Sequence, residues 1–346
     1  SSTENLFLYS YLLIIYISVF FGFAFVFLNL FKNEFSKLIM IPVVFIITEV
    51  FRENLVYGFP WVTFALLGSF NHFFLQIAYF ISTYGLSYLI ISLFLIPAGV
   101  IMLRENRSAF FLKIYMTISI TILLILFILV FIRLNHSNNL YNHNEISISL
   151  NQLNIHQSDK SNVFLKKERF VEISKTIKDG GNYIFIFSET DYPYVIKNND
   201  IVKIFQNLLA SDQSVIIGGI RKDMKNYYNS MYFITKNSFQ VFDKKILVPF
   251  GEFLPFRNIL SFLESIVGSV DFSSGKNDRL IKLDNNLDFI PVICYEIIFF
   301  NDLLKTINDK SSLLINITND AWFGKHSGPY QHFYLSRIRS VEFNKF

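Results

Sequence analysis

Charged residues and cysteine are both scarce in this chain of 346 residues. Asp, Glu, Lys and Arg make up 17% of it, against roughly 25% in a typical soluble domain, and 41 phenylalanines make it too apolar for intrinsic disorder. The single cysteine excludes an internal disulfide bond and a zinc site built on several thiolates. The net charge of +4 is too small and too spread out to favour nucleic acid as a partner.

Charged residues are scarcest in the first part of the chain, where residues 1–132 contain only 11 of the 58. Three segments contain no charge, and each approaches or exceeds the roughly 20 residues that cross a bilayer as a helix. They are Leu6–Phe31, Phe73–Leu103 and Ile114–Ile132. We predict transmembrane helices there and a fourth at about Leu38–Tyr57. Glu49 and Arg52, three residues apart within it, can pair on a helix, which would reduce the cost of these charges in a membrane.

The basic residues of the loops predict an orientation for these helices. Five of them lie in two loops that the helix order puts on one side, and the stretch 54–72 has no Lys or Arg. They are Lys32, Lys37, Arg104, Arg107 and Lys113. By the positive-inside rule these loops are cytoplasmic, so the residues after Arg133 lie outside the cytoplasm, which in a bacterium is the periplasm. The alternative is that the five basic residues lie on one side by chance and say nothing about orientation.

From Glu145 onward the pattern changes to short β-branched and aromatic runs separated by helical periods, which is typical of a sheet covered by helices. The predicted strands are Ile146–Leu150, Tyr183–Ser188, Val215–Ile220, Ser230–Thr235, Phe289–Cys294 and Leu313–Thr318. Apolar residues at helical spacing from Val163 to Ile177, followed by the stop signal Gly180-Gly181, predict a helix between the first two strands.

We therefore divide the chain into two predicted domains. Residues 1–134 form about four transmembrane helices, and residues 140–346 form an α/β domain. The chain begins with Ser1 rather than Met and ends soon after an amphipathic stretch. We accordingly expect the helix bundle and the C-terminal end of the α/β domain to be incomplete.

Three reactive residues follow predicted strands or precede a turn. Glu189 comes one serine after the apolar run Ile184–Phe187, Lys244 precedes the turn Val248–Gly251, and Cys294 ends the run that begins at Ile290. Sites in open α/β sheets gather at the carboxyl ends of strands, so these residues can converge. A cysteine thiol needs a base and a nearby cation to be an efficient nucleophile, and a glutamate and a lysine can supply them.

Each of the three residues also has a purely structural alternative. Cys294 can be a small buried hydrophobe, Glu189 a neighbour of a helix N-cap, and Lys244 part of a solvated turn. The residues and their spacing alone therefore support an enzyme and a non-catalytic protein equally.

Longer motifs around these residues resemble the nitrilase superfamily of carbon-nitrogen hydrolases, and within it the apolipoprotein N-acyltransferase family of bacterial inner membranes. The motifs are Ser188-Glu189-Thr190-Asp191-Tyr192-Pro193, Phe242-Asp243-Lys244-Lys245-Ile246-Leu247-Val248-Pro249-Phe250-Gly251-Glu252, Ile293-Cys294-Tyr295-Glu296, Asn319-Asp320-Ala321-Trp322-Phe323-Gly324 and Gly328-Pro329-Tyr330-Gln331-His332. In the first part, Glu49-Val50-Phe51-Arg52 and Gly58-Phe59-Pro60-Trp61 match too. The resemblance implies a polytopic helical membrane bundle followed by a nitrilase-type α-β-β-α sandwich.

The resemblance also implies roles for individual residues. Glu189 matches the general base, Lys244 the lysine that stabilises the oxyanion, and Cys294 the nucleophile. Lys244 is preferred to Lys245 because the family's lysine lies three residues before the Leu-Val-Pro-Phe-Gly-Glu run. Glu252 matches a supporting glutamate. The remaining matches, which flank the nucleophile, are Tyr295 and Glu296. Phe187-Ser188 departs from the Trp-Pro that is common in the family, which affects the expected substrate contacts and leaves the three reactive residues in place.

The reaction that the resemblance implies is a two-step acyl transfer without metal or cofactor. Cys294 takes the sn-1 acyl chain of a phospholipid as a thioester, and the N-terminal amine of the diacylglyceryl-cysteine of an apolipoprotein then accepts it. The partners would be the phospholipid donor, the diacylated apolipoprotein and the bilayer, with no nucleic acid.

Two other functions stay open at this point: a membrane-tethered amidase with the same three residues, and a non-catalytic polytopic binding protein. His326 and His332 are six residues apart and lack the spacing of a helical zinc site, so no metal site is expected there.

Overall fold

The computed structural model describes residues 2–105, 110–137, 147–153, 162–181, 183–261, 264, 270–282, 288–307, 311–324 and 326–345. They divide into two compact units, Ser1–Asn142 with Arg337–Asn344, and His143–Ser336 with Lys345–Phe346. Most of the stretch 135–144, where the sequence predicts the boundary between the two parts, lies outside the described residues.

The first unit is helical. Its helices are α1 (Ser2–Leu28), α2 (Glu34–Asn54), α3 (Ala65–Ser69), α4 (His72–Glu105) and α5 (Phe110–Ser137). Consecutive long helices pack on one another, and α4 departs from helical geometry at Ser82. All four predicted helices are therefore confirmed as helices, and only the short α3 was not expected.

Two of these helices are long and apolar enough to cross a membrane by length and composition: His72–Arg104 and Phe110–His136. The apolar part of α1, Leu13–Leu28, is shorter, and α2 carries several charges. Helix α5 exposes large apolar side chains along its length, including Phe111, Ile128 and Phe131. Such exposure is costly in water and is expected of a helix that faces lipid.

Glu49 and Arg52 act on each other through their charges, but each side chain forms its hydrogen bonds with other groups. Among the described side chains, Glu49 instead accepts hydrogen bonds from Thr63 Oγ1 at 3.1 Å and from the Phe64 backbone N–H at 2.9 Å. Arg52 donates to the carbonyl oxygen of Val62. The segment that follows α2 thus supplies hydrogen-bond partners for both charged side chains.

The second unit is built on β-strands whose described order is β1 (Ile148–Asn151), β2 (Ile184–Phe187), β3 (Ile196–Lys197), β4 (Ser214–Asp223), β5 (Asn226–Thr235), β6 (Phe239–Asp243), β7 (Asp288–Ile293) and β8 (Ser311–Ile317). One described sheet has the order β1-β2-β4-β5-β6 with β3 beside β4, and the other pairs β7 with β8. All six predicted strands are found, whereas β3 and β6 were missed because they are short or lack an apolar run.

The helices of this unit are α6 (Val163–Asp179), α7 (Asp200–Leu208), α8 (Arg257–Leu260), α9 (Phe300–Leu304) and the first part of α10 (Ser327–Phe343), whose residues from Arg337 onward belong to the first unit. The predicted helix after Asn162 is confirmed as α6, which the Asn162 side chain caps and which ends before Gly180.

Both faces of the larger sheet are buried, so its central strands are continuous apolar runs rather than alternating ones. Alternate residues such as Phe185, Val215 and Tyr232 pack with Ile173 and other residues of α6 and α7. The intervening residues pack against β7 and β8 in a second core. Its buried members are Ile184, Ile216, Met231, Phe233, Phe242, Ile281, Phe289, Ile293 and Ile317. The layers are thus helix, sheet and sheet, in agreement with the predicted α/β sandwich.

Strand direction places the carboxyl ends of β2 and β6 on the same side of the larger sheet. Strands β1, β2 and β4 are parallel, β5 is antiparallel to β4, and β6 is antiparallel to β5. Strand β6 therefore runs in the same direction as β2, and the residues that follow both strands emerge on the same side.

We expect Ile216→Ala to destabilise the second unit. Ile216 is fully buried between the two sheets, so the truncation leaves a cavity that lowers the free energy of unfolding by about 2–5 kcal/mol. Leu150→Ala on β1, where the side chain is 79% exposed, is the control and should change the free energy little. Urea unfolding in detergent micelles, followed by circular dichroism, measures both. Equal losses in the two variants would contradict the assigned core.

Candidate active site

Glu189, Lys244 and Cys294 follow the ends of three strands, which the sequence predicted for Glu189 and Cys294 and did not predict for Lys244. Glu189 comes two residues after β2, Lys244 directly follows β6, and Cys294 directly follows β7. Glu189 and Lys244 are 5% and 1% exposed, and Cys294 is partly buried. Buried ionisable groups are rare unless they are paired. The partners of these three side chains therefore indicate which charges and protons the site can hold.

The amine of Lys244 lies between two carboxylates. Its Nζ is 3.0 Å from Glu252 Oε1 and 3.3 Å from Glu189 Oε1. Asn229 joins the same two atoms from β5, since its Nδ2 donates to Glu189 Oε1 at 2.7 Å and to Glu252 Oε1 at 2.8 Å. One ammonium and one amide thus hold both carboxylates at fixed positions.

The second oxygen of each carboxylate also has a donor. Glu252 Oε2 accepts from the Val248 backbone N–H at 2.8 Å, and Glu189 Oε2 accepts from the Asn319 backbone N–H at 3.2 Å. Burial by itself lowers the pKa of Lys244, but Glu252 and Glu189 outweigh it and hold that pKa above its usual range. Lys244 is therefore a permanent cation at neutral pH.

A close backbone approach brings Glu189 into position. A Cβ atom on Gly218 of β4 would lie 2.6 Å from the Thr190 nitrogen and 2.7 Å from the Glu189 Cα, so only glycine fits there. The Ser188 carbonyl oxygen accepts from the Gly218 N–H at 3.2 Å, and the Gly218 carbonyl oxygen accepts from the Tyr192 N–H at 2.9 Å. These bonds fix the turn that carries Glu189.

Cys294 occupies a strained position at the start of a 3-10 helix, Cys294–Ile298, with φ at +52°. Residues other than glycine rarely adopt this region, and such outliers are concentrated at functional sites. Burial raises the pKa of the Cys294 thiol well above its usual value, the Glu189 carboxylate raises it further, and Lys244 opposes them. The resting thiol is therefore protonated at neutral pH.

Glu296 connects the nucleophile turn to the segment after Lys244. Its carboxylate is fully buried and accepts from the backbone N–H groups of Ile293, Lys245 and Ile246 at 2.9, 2.8 and 3.2 Å. It also forms a two-point ion pair with Arg279 at 2.9 and 3.0 Å. Burial by itself raises the pKa of Glu296, but Arg279 and these N–H groups outweigh it and keep that pKa below its usual value.

Tyr295, the other predicted neighbour of the nucleophile, is buried with its ring 5.1 Å from that of Phe299. Its side chain thus packs in the core beneath the turn. Lys245, the alternative to Lys244, is partly exposed, which supports the choice of Lys244.

His332 and Asp320 also lie next to Cys294. His332 Nδ1 is 2.8 Å from Asp320 Oδ1, and its Nε2 is 3.1 Å from the Cys294 carbonyl oxygen. Cys294, Asp320 and His332 each offer one donor atom within 4.8 Å of the others, which are the atom types of a zinc site. Both ring nitrogens of His332 lie at hydrogen-bonding distance from oxygen atoms. We therefore interpret this cluster as a hydrogen-bond network rather than as a set of zinc ligands. His326 is exposed and apart from it.

The structure therefore brings together the predicted residues Glu189, Lys244, Cys294, Glu252 and Glu296. Sequence reasoning missed Asn229 and Arg279, which help to hold them. It placed Asn319, Asp320 and His332 in family motifs but gave them no role in the site. A polar residue within the apolar run of β5 was the one signal that could have identified Asn229.

Two sequence families match this chain. The model of the carbon-nitrogen hydrolase family matches residues 148–346, and that of the apolipoprotein N-acyltransferase N-terminal domain matches residues 2–96. The first match contains every residue of the site described above.

Individual relatives match across both parts of the chain. An apolipoprotein N-acyltransferase of Rickettsia prowazekii is 31% identical over 325 residues, which cover 90% of this chain and 63% of that protein. One of Allorhizobium ampelinum is 30% identical over 346 residues, which cover 94% of this chain and 64% of that protein. The chain thus spans less than two thirds of the length of these relatives.

The match over residues 148–346, which is more than half of the chain, establishes that the chain belongs to the carbon-nitrogen hydrolase family.

Proposed function

We propose that this chain acts in the N-acylation of lipoproteins, as part of an apolipoprotein N-acyltransferase. The observation that carries the proposal is the buried Glu189–Lys244 pair beside the single cysteine. Its extension to lipid substrates is supported by the apolar helices of the same chain and by the match of residues 2–96 to the N-terminal domain of this enzyme family.

The proposal includes a division of labour along the chain. Residues 1–134 would be the membrane helices, and residues 140–346 the catalytic domain. In the orientation that the basic loops predict, the helices lie in a bacterial inner membrane and the catalytic domain faces the periplasm. Phospholipid and lipoprotein are both anchored in lipid, so a site at the membrane surface meets them by lateral diffusion.

In the first step, Cys294 attacks the sn-1 ester carbonyl of a phospholipid. The thiol proton moves to the Glu189 carboxylate as the sulfur–carbon bond forms, because the raised thiol pKa requires a base at that moment. The Lys244 ammonium stabilises the oxyanion of the tetrahedral intermediate. The carbon–oxygen bond of the ester then breaks, the glycerol oxygen takes the proton from Glu189, and a lysophospholipid leaves.

In the second step, the amine of a diacylglyceryl-cysteine attacks the thioester. Glu189 takes a proton from the amine as the carbon–nitrogen bond forms, and the carbon–sulfur bond breaks. The departing sulfur recovers the proton, which restores the enzyme. The two half-reactions share one covalent intermediate, so the kinetics are ping-pong.

The supporting residues act on geometry in this mechanism. Glu252 holds the Lys244 amine between two carboxylates, and Glu296 ties the Cys294 turn to the backbone after Lys244. Tyr295 anchors the turn through its buried ring. No cofactor enters either step.

We expect Cys294→Ser to abolish the acyl-enzyme. After incubation of the detergent-solubilised chain with phosphatidylethanolamine, intact-mass spectrometry should show one acyl chain added to the parent and none to the variant. Because the chain has a single cysteine, hydroxylamine at neutral pH should remove the adduct if it is a thioester. An adduct that persists in Cys294→Ser would remove Cys294 as the acylated residue, and the absence of an adduct from the parent would favour a non-catalytic binding protein.

We expect Glu189→Gln to slow the formation of the thioester by about 10²–10⁴-fold, because the variant lacks the base for the thiol proton. Stopped reactions with phosphatidylethanolamine, followed by mass spectrometry, measure this rate. Glu172→Gln on the exposed face of α6 is the matched control and should react like the parent. An unchanged rate in Glu189→Gln would remove Glu189 as the base.

The same variant should change the pH dependence of thiol alkylation in the opposite sense. Burial is the main cause of the raised Cys294 pKa, and the Glu189 charge adds to it, so removing that charge lowers the pKa. The midpoint of iodoacetamide alkylation should move to lower pH in Glu189→Gln and stay in place in Glu172→Gln. Faster alkylation together with slower acylation distinguishes a lost base from general damage to the site. A midpoint that moves to higher pH would contradict the charge assignment.

A further inference from the structure

His332 lies buried beside Cys294 and has no part in the two steps proposed above. Its side chain, on α10, is 1% exposed. Its Nε2 is 3.1 Å from the carbonyl oxygen of Cys294, and its Nδ1 is 2.8 Å from Asp320 Oδ1. A carbonyl oxygen and a carboxylate oxygen can only accept hydrogen bonds, so the ring nitrogen that faces each of them is the donor.

Hydrogen bonds hold the His332 side chain against the backbone of the nucleophile. The Thr318 hydroxyl donates to Asp320 Oδ1 at 2.9 Å. A chain of hydrogen bonds therefore runs from Thr318 through Asp320 and His332 to the Cys294 carbonyl oxygen. Asp320 holds the imidazole ring, and the ring holds the backbone of the nucleophile.

The bond to the carbonyl fixes the orientation of a whole peptide unit. The carbonyl of Cys294 and the N–H of Tyr295 belong to one planar trans peptide, in which they point in opposite directions. Cys294 has its φ at +52°, a conformation that persists only when surrounding contacts enforce it. By holding the carbonyl on its own side, His332 directs the Tyr295 N–H to the opposite side.

We propose that His332 is a positioning residue, which fixes the Cys294–Tyr295 peptide so that the Tyr295 N–H meets the oxyanion that forms when Cys294 is acylated. The inference rests on the proposed function to the extent that Cys294 accepts an acyl group. A donor in this position acts on the transition state and leaves substrate binding unchanged.

Three substitutions of His332 separate this role from a general effect on folding. A glutamine amide nitrogen reaches the place of Nε2 and can still donate to the Cys294 carbonyl. An asparagine amide nitrogen reaches only the place of Nδ1, and alanine reaches neither. His326→Ala, six residues earlier and exposed, is the matched control. Thermal unfolding of each variant in detergent micelles shows whether it is folded.

The measurement is the acylation of Cys294 by p-nitrophenyl butyrate, whose released p-nitrophenolate reports formation of the thioester, and in parallel by phosphatidylethanolamine. Complete loss of an oxyanion donor costs about 10²–10³-fold in rate, and we expect misorientation to cost about tenfold or more. The acylation rate constant at saturating ester should fall by that factor in His332→Ala and His332→Asn. It should stay within about threefold of the parent in His332→Gln and His326→Ala, with half-saturating ester concentrations unchanged throughout.

Other orders of reactivity would overturn the inference. Equal rates in His332→Gln and His332→Ala, equal rates in His332→Asn and His332→Gln, or a change confined to the half-saturating concentration would each do so. A parent that reacts with p-nitrophenyl butyrate and not with phosphatidylethanolamine would refute the proposed donor, while the order of the variants would still decide the role of His332. A parent inert to both esters would overturn both.

Discussion

A buried ammonium between two buried carboxylates is the interaction on which the rest of the site depends. The Lys244 amine, 1% exposed, offsets the charges of Glu189 and Glu252. Removing one member of such a group leaves an uncompensated buried charge, which costs about 3–5 kcal/mol. The group can exist because β2 and β6 run in the same direction and release Glu189 and Lys244 at one edge, where Asn229 of β5 bridges the two carboxylates.

The same charges determine the state of the thiol. Two carboxylates and one ammonium leave an excess of negative charge, so burial and Glu189 keep Cys294 protonated at rest despite Lys244. The Cys294 thiolate is therefore generated only when a base accepts the thiol proton. A protonated resting thiol also resists oxidation, because the thiolate is the species that reacts with oxidants. This property suits the only cysteine of a chain whose catalytic domain we propose to face the periplasm.

The sequence predicted those features that depend on runs of similar residues. Charge-free segments indicated the helices, and apolar runs indicated the strands, because both faces of the sheet are buried. Strand β6 was missed because its Gln240 and Asp243 interrupt the apolar pattern. The burial of Arg279 and His332 could not be predicted, since each is a single polar residue whose partners lie in distant segments. The resemblance identified Lys244 rather than Lys245 as the lysine of the site. The structure gives a physical reason for this choice, because Lys244 is buried and Lys245 is partly exposed.

The central claim is that Cys294 passes an acyl group from one lipid to an amine. The most direct test isolates the chain with its acyl adduct, free of phospholipid, and adds a synthetic dipalmitoylglyceryl-cysteine peptide. The account predicts one turnover, in which the adduct disappears from the chain and an equal amount of N-acylated peptide appears. Release of free fatty acid, with the peptide unchanged, would contradict it and would indicate a hydrolase in which water is the acceptor.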